Sequence, residues 1–282
     1  MMLQYHHFDK IDSTNAYLQR KQSECDISNW VVSTDEQTAG KGMGSNRWES
    51  EVGKNLTFSL ALDMSFLPVE RQFLLSEAVP LGIIEVLEKV LSDSFEGAPY
   101  QALPSIDTLP PNASRNNINC RTRISTPSKS SEELHIKWPN DIYFSNCKLA
   151  GILINSTIKA NIMGVSIIGI GLNVNQMQFN NWPTHPISLK MITGKDYDLP
   201  TLMKQIAEHI LIKVKQLKSA PTIIEQEYLK RLFHYHTWAN YEVGGQTLRL
   251  FMTGIDKFGR LLLIDEQQKQ HCYEIKQIKF IL

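Results

Sequence analysis

The residues best suited to chemistry lie between positions 137 and 154, which read KWPNDIYFSNCKLAGILI. β-forming residues stand on both sides of a Ser-Asn-Cys turn, a pattern that predicts two strands joined in a hairpin. The hairpin would crowd polar groups beside a glycine whose backbone a ligand can approach closely. A solvated surface hairpin is the alternative, because exposed lysines are common. The polar and flexible residues of the hairpin are Lys137, Asn140, Asp141, Lys148 and Gly151.

A second candidate segment lies upstream at positions 37–48, with the sequence QTAGKGMGSNRW. Its three glycines allow positive φ angles, so that backbone N–H groups can turn toward an anion beside Lys41 and Arg47. We expect a cationic loop that folds over a phosphate-bearing ligand, with an ordinary surface loop as the alternative. The G-x-G-x-G spacing differs from the dinucleotide fingerprint, and the Walker pattern is absent.

Five motifs in their order along the chain resemble those of biotin protein ligases. The resemblance covers nearly the whole chain and is most specific in KWPND followed by KLAGIL. It implies the short class of that family, without an amino-terminal DNA-binding domain. The motifs are DSTN at 12–15, GKGMGSNRW at 40–48, KWPND at 137–141, KLAGIL at 148–153 and GIGLNVN at 169–175.

The resemblance implies an α+β fold of the class II synthetase-like type, with a mixed or antiparallel central sheet and flanking helices. Short strands with Gly turns after position 237 predict a small β-barrel, which resembles the SH3-like carboxy-terminal domain of the family. We therefore expect a catalytic domain at 1–235 and an SH3-like domain at 236–282. Positions 93–131 are rich in Pro, Ser and Asn and predict a mobile insertion, either a neutral loop or a partner-binding arm.

The resemblance also assigns roles to individual residues. Lys148 would be the central catalytic cation between the biotin carboxylate and the α-phosphate of ATP, assisted by Lys41, and Asp141 could help to hold Mg²⁺. Alone, Ser13 and its neighbours would be read as a helix cap. The implied biotin contacts are Ser13, Thr14, Asn15, Gln37, Gly40, Lys41, Gly42, Met43, Lys148 and Gly151. The implied ATP or adenylate contacts are Lys41, Trp48, Lys137, Asn140, Asp141, Asn173 and Asn175.

The implied reaction is a two-step ligation that uses biotin, ATP and Mg²⁺. Biotin is activated as biotinyl-5′-AMP and then transferred to a lysine of a biotin carboxyl carrier domain of a biotin-dependent carboxylase. A lipoate or octanoate ligase of the same fold and a non-catalytic biotin-binding regulator are the alternatives. A homodimer is common in the family.

The glycine loop departs from the commoner family wording, which has arginines where this chain has Lys41, Met43 and Gly44. A lysine acts as a point charge on phosphate, whereas Met43 carries no charge. The loop therefore offers fewer charged groups to an adenylate than the commoner family wording provides.

Composition narrows the remaining function classes. The 282 residues carry a formal net charge of zero, so nothing in the charge balance points to nucleic acid or an acidic membrane surface. The first ten residues show no apolar signal segment, and no apolar run approaches the length of a membrane span. We expect a cytoplasmic protein with no nucleic-acid or membrane partner.

Overall fold

The computed structural model describes residues 2–44, 46–95, 134–179 and 185–281. Most of the predicted insertion at 93–131 lies outside these ranges; its first three residues belong to a helix that ends at Phe95. None of the helices in these ranges is long and apolar enough to cross a membrane.

Seven strands of the described ranges form the main sheet. Only the first two strands are parallel, whereas every other neighbouring pair is antiparallel, which confirms the predicted mixed sheet. In chain order the strands are β1 (Gln4–Ile11), β2 (Trp30–Gln37), β3 (Leu56–Asp63), β4 (Leu134–Lys137), β5 (Asp141–Phe144), β6 (Cys147–Lys159) and β7 (Ile162–Leu172). Their order across the sheet is β1-β2-β3-β7-β6-β5-β4.

Helices cover both faces of this sheet. The described helices are α1 (Thr14–Lys21), α2 (Phe73–Phe95), α3 (Leu189–Thr193), α4 (Leu199–Ser219) and α5 (Pro221–Arg231). α2 and α4 pack against each other over the larger core, while Leu18 of α1 joins a smaller cluster on the other face. Strand β3 is buried at every residue except Asp63, as expected for a strand covered on both sides.

In the sequence, a proline at position 80 inside a stretch of helical periodicity predicts a kinked or interrupted helix, but α2 runs unbroken from Phe73 to Phe95. A proline inside a helix costs about 3 kcal/mol because it removes one backbone hydrogen bond. Val79, Leu81 and Ile83 beside it are buried, and each such burial contributes about 1.5–3 kcal/mol. Packing therefore outweighs the local preference, and the interruption prediction was wrong.

A separate antiparallel sheet follows α5, as the predicted SH3-like fold requires. Its strands are β8 (Trp238–Val243), β9 (Gln246–Ile255), β10 (Leu261–Ile264), β11 (Gln270–Tyr273) and β12 (Ile278–Phe280), in the order β11-β10-β9-β8-β12. The indole N–H of Trp138 donates to the Gly259 carbonyl over 2.9 Å, and Gly259 has φ 86°. A Cβ on Gly259 would collide with the Phe73 ring, so this turn packs tightly against the main domain.

One carboxyl group in the α2–α5 interface is buried at a cost. Glu77 is 7% exposed, and its Oε2 has no hydrogen-bond partner among the residues of the described ranges. Burial, as the largest cause, and the Glu225 carboxylate together raise the pKa of Glu77 to about 8, although Arg71 opposes the shift. The folded state therefore favours the protonated, neutral form of this side chain.

We predict that Glu77→Gln flattens the pH dependence of stability between pH 5 and 8. A raised folded-state pKa gives stability that is complete below the unfolded value of 4.5 and is lost as pH rises toward the folded value of about 8. The loss approaches about 1.4 kcal/mol per pH unit. Urea unfolding at several pH values measures it, and parallel pH profiles for variant and wild type would contradict the assignment.

Candidate active site

The start of α1 places three polar side chains against the middle of the sheet. Ser13 caps the helix, since its hydroxyl accepts from the Ala16 N–H over 3.4 Å. The N–H and hydroxyl of Thr14 donate to Gln37 Oε1 at 2.9 and 3.2 Å. Ser13, Thr14 and Asn15 are all buried. The capping interpretation is therefore correct for Ser13, and the same turn fixes the next two side chains.

Asn15 has an unused acceptor. Its Oδ1 is buried without a hydrogen-bond partner in the part of the chain that the structure describes. Its Nδ2 lies over Gly169 of β7, where a Cβ on residue 169 would collide with it. Because a buried, unpaired amide oxygen costs about 1–3 kcal/mol, Asn15 is placed to accept a hydrogen bond from a ligand.

The segment at 37–48, here called the glycine loop, forms a small hairpin near the side chains of Ser13, Thr14 and Asn15. Lys41 and Arg47 form an isolated antiparallel bridge, closed by a hydrogen bond from the Gly42 N–H to the Asn46 carbonyl over 2.9 Å. Gly40 is buried, and a Cβ there would clash with the Trp48 carbonyl. The loop therefore needs glycine at position 40 to bring the two sides of the hairpin together.

Trp48 leaves the loop and inserts its indole against the main sheet. The indole lies over Gly171 of β7, since a Cβ at position 171 would collide with the Trp48 ring atoms. Gly169 and Gly171 are two residues apart on one strand and face the same way. They provide the space in which Asn15 and Trp48 approach the sheet.

Lys148 forms an ion pair with Asp141. The Lys148 Nζ lies 2.8 Å from Asp141 Oδ1, and both side chains are mostly buried. A register shift between Ile142 and Tyr143 sets the pairing of β5 with β6, and Asp141 stands opposite Gly151. A Cβ on Gly151 would lie 3.3 Å from the ammonium, so the missing side chain keeps the ion pair accessible.

Backbone contacts fix Lys148 further. Its N–H donates to the His185 carbonyl over 2.7 Å, and its carbonyl accepts from the Ile187 N–H over 2.9 Å. Asn140 is held by a hydrogen bond from its amide to the Ile152 carbonyl. The turn that carries Asn140 connects β4 with β5, and the turn at Ser145 and Asn146 was predicted correctly.

These elements enclose a cavity of about 350 Å³. The structure brings most of the expected ligand-binding residues to its wall. They are Ser13, Thr14, Asn15, Gln37, Lys41, Gly42, Met43, Trp48, Asn140, Asp141, Lys148 and Gly151. The wall also contains residues that the family resemblance did not assign as ligand contacts, namely Asn46, Arg47, Glu49, Thr57, Phe58, Ile152, Leu153, Gly169, Ile170 and Gly171. The alternating glycines of GIGLNVN could have predicted that Gly169, Ile170 and Gly171 line the cavity.

Four expected contacts lie outside the cavity lining. Gly40 is one of them, and it allows the Trp48 carbonyl to approach closely within the loop. Lys137 points toward the second sheet: its ammonium donates to the Tyr143 hydroxyl over 3.3 Å and lies 5.8 Å from the Phe280 ring centroid. Burial lowers the pKa of Lys137, and Lys148 acts in the same direction against Asp141.

Asn173 and Asn175 follow β7 and brace neighbouring loops. The Asn173 amide donates to the Lys148 carbonyl over 3.3 Å. Asn175 exchanges two hydrogen bonds with the backbone of Tyr197, at 2.8 and 3.0 Å. Their contacts therefore hold the backbone near Lys148 and the loop before α4.

The cavity has an excess of positive charge. Lys41, Arg47 and Lys148 face it, against Glu49 and Asp141. Within the described ranges the side chains of Lys41 and Arg47 form no ion pair, whereas Lys148 is paired with Asp141. A concave site with uncompensated cations attracts an anionic ligand.

Sequence comparison relates the chain to proteins of known class. It is 26% identical over 263 residues to the bifunctional ligase/repressor BirA of Escherichia coli, covering 90% of this chain and 67% of that protein. It is 26% identical to BirA of Bacillus subtilis over 84% of this chain and 59% of that protein. It is also 24% identical to the biotin–[acetyl-CoA-carboxylase] ligase of Mycobacterium tuberculosis over 89% and 79% of the two chains. The chain thus spans about three fifths to two thirds of the two BirA proteins.

Structure comparison gives the same fold. The biotin protein ligase from Aquifex aeolicus in complex with biotin and ATP superposes with a TM-score of 0.69 at 20% identity, over 98% of this chain and 97% of that one. This similarity extends over both sheets. It confirms the predicted fold class.

The family match covers the part of the chain that builds the cavity. Residues 7–173 match the Biotin/lipoate A/B protein ligase family. That range begins in β1 and ends just after β7, so it includes the start of α1, the glycine loop, KWPND and Lys148. The chain belongs to the biotin/lipoate A/B protein ligase family.

Proposed function

We propose that this protein is a biotin–protein ligase that activates biotin with ATP and transfers it to a lysine of a biotin carboxyl carrier domain. The observation that carries the proposal is one cavity with a polar, buried end at Asn15 and a cationic end at Lys148 and Lys41. Biotin has a urea at one end and a carboxylate at the other. The two ends of the cavity match these two groups.

The polar end suits the urea. A urea offers two N–H donors and a carbonyl acceptor, and the unpaired Asn15 Oδ1 can accept one of those donors. The hydroxyls of Ser13 and Thr14 are within the same wall. Phe58, Leu153 and Ile170 provide apolar surface between the two ends, as expected for a site that binds a hydrocarbon chain.

The cationic end suits adenylation. A biotin carboxylate oxygen attacks the α-phosphorus of ATP, and pyrophosphate leaves. In the second step an acceptor lysine attacks the carbonyl of biotinyl-5′-AMP, and AMP leaves. Lys148 brings the two anions together and stabilises the charge that develops on the α-phosphate, with Lys41 assisting.

Magnesium is part of this proposal. Mg²⁺ in nucleotide sites is held by one or two carboxylates together with phosphate oxygens, and Asp141 supplies one carboxylate at the cationic end of the cavity. Its Oδ1 is engaged by Lys148, so the carboxylate would contribute to the metal site together with the ATP phosphates. The bound ion would offset phosphate charge.

The other expected residues fit the proposal in supporting roles. Trp48 would cover the nucleotide, and Gly40, Gly42 and Met43 would shape the loop over it. Asn173 positions Lys148 through its carbonyl, while Asn140 and Gln37 hold the neighbouring backbone and Thr14. Direct nucleotide contacts by Lys137 and Asn175 stay predictions.

The remaining assignments also stay predictions. These are the domain division at 1–235 and 236–282, a carboxylase carrier domain as acceptor, a homodimer and a cytoplasmic location. The carrier domain is supported by the ligase class of the relatives, and the division by the start of the second sheet at Trp238.

ATP–pyrophosphate exchange tests the proposed function. Purified protein is assayed with biotin, with lipoate and with neither, and biotin is then followed by mass spectrometry onto a carrier domain. We expect exchange that depends on biotin, followed by acylation of one carrier lysine. Exchange with lipoate alone would reassign the substrate, and biotin binding without exchange would indicate a non-catalytic regulator.

We predict that Lys148→Ala lowers the adenylation rate by about 10²–10³, because one preorganised cation is removed from the developing charge. Lys159→Ala is the matched control, since Lys159 lies on the same strand but is exposed and outside the cavity. Circular dichroism should show both variants folded. A Lys148→Ala variant with more than about a tenth of the wild-type rate would refute the role.

We predict that substitutions at two glycines of β7 affect the binding of different substrates. Gly169→Ala should raise the KM for biotin several-fold because the new methyl displaces the Asn15 amide. Gly171→Ala should instead displace the Trp48 indole and raise the KM for ATP more than the KM for biotin. Steady-state exchange kinetics of the two variants measure this, and identical effects of the two substitutions would contradict it.

A further inference from the structure

A lysine of the second sheet reaches the glycine loop of the main domain. Lys276 lies in the turn between β11 and β12 with φ 75°. The turn is closed by hydrogen bonds from the Gln277 N–H to the Glu274 carbonyl, 3.1 Å, and from the Glu274 N–H to Gln277 Oε1, 2.7 Å. The backbone around Lys276 is therefore well fixed, although its side chain is exposed.

The side chain of Lys276 occupies the space beside Gly44. A Cβ on Gly44 would lie 3.1 Å from the Lys276 Nζ and 3.4 Å from its Cε. Gly44 has φ 68°, a conformation that residues other than glycine rarely adopt. Because position 44 has no side chain, the ammonium from the other sheet can rest against the loop.

The ammonium of Lys276 has no counterion among the residues that the structure describes. Within the ranges that the structure describes, Lys276 forms no ion pair or hydrogen bond, and the same is true of the Lys41 and Arg47 side chains. By contrast, Lys279, three residues further along, pairs with Glu242 over 2.7 Å. Lys276 therefore lies against a loop that carries two further cations without a partner among the described residues, and an anion bound at this loop would interact favourably with all three charges.

The geometry points to Lys276 as a binding residue for the polyphosphate of the nucleotide, contributed by the second sheet. This inference rests on the proposed function. The loop carries no charge at Met43 and Gly44, and Lys276 would supply a cation at the position that Gly44 leaves open. A lysine ammonium binds phosphate as a point charge with three donors, so it needs only to reach the phosphates.

Docking of the second sheet would then contribute to nucleotide affinity. The Trp138–Gly259 hydrogen bond and the Phe73 contact hold that sheet against the main domain. They fix the turn that carries Lys276 relative to the loop. Nucleotide binding and the docking of the second sheet are therefore coupled through a single side chain.

Titration calorimetry with saturating biotin tests the inference without requiring turnover. The full chain and its Lys276→Ala, Lys276→Arg and Lys279→Ala variants are titrated with α,β-methylene-ATP, an ATP analogue that cannot release pyrophosphate and is therefore not turned over, and, separately, with uncharged adenosine. We expect Lys276→Ala to weaken binding of the nucleotide about 5- to 20-fold, the range for one charge-assisted contact. The affinity for adenosine should stay unchanged. Lys276→Arg should keep most of the ATP affinity, and Lys279→Ala should match wild type. The ATP defect should shrink at high salt.

The outcomes separate this inference from the proposed function. Wild-type ATP affinity in Lys276→Ala, an equal loss for adenosine and ATP, or an equal loss in Lys279→Ala would each overturn the assignment of Lys276. Wild-type protein that binds no ATP would overturn it as well. Wild-type protein that binds ATP in a Lys276-dependent way but shows no biotin-dependent exchange would overturn only the ligase activity.

Discussion

The space for a ligand in this protein depends on strand positions that carry no side chain. A Cβ at Gly169 or Gly171 would occupy the places of the Asn15 amide and the Trp48 indole, and a Cβ at Gly151 would crowd the Lys148–Asp141 ion pair. Strands β6 and β7 pair along most of their length, so these glycines cannot move to relieve such contacts. The rigid sheet fixes the floor of the cavity, and α1 and the loop close it from two sides.

The cations of the cavity differ in whether a carboxylate neutralises them. Lys148 is neutralised by Asp141 inside the cavity, whereas Lys41 and Arg47 at the mouth remain without a partner side chain in the described structure. Exposed cations attract an anion from solution, and a partly buried cation acts more strongly once water is excluded. The arrangement therefore suits capture of a nucleotide at the loop and chemistry at Lys148.

The two sheets are joined by contacts of the first residues of the hairpin at 137–154. Trp138 of KWPND donates to Gly259, and Lys137 packs its ammonium between Tyr143 and Phe280. Lys276 adds a third link, from the second sheet to the glycine loop. KWPND thus serves two purposes, since its first two residues hold the second sheet and its last two line the cavity.

The sequence by itself determined the hairpin turn at Ser145 and Asn146 through local patterns, and its motifs, through the family resemblance, indicated the fold class and about half of the residues in the cavity wall. Ser13 as a helix cap and the glycines of the loop are signals of this kind. Only the tertiary structure decided that Lys137 and Asn175 form their hydrogen bonds outside the cavity lining, that α2 continues through Pro80, and that Gly169 and Gly171 receive Asn15 and Trp48. It also decided that Lys276 meets Gly44, which is 232 positions away along the chain by subtraction of their residue numbers. Contacts between distant segments depend on how helices and sheets pack, and no spacing of residues along the chain encodes them.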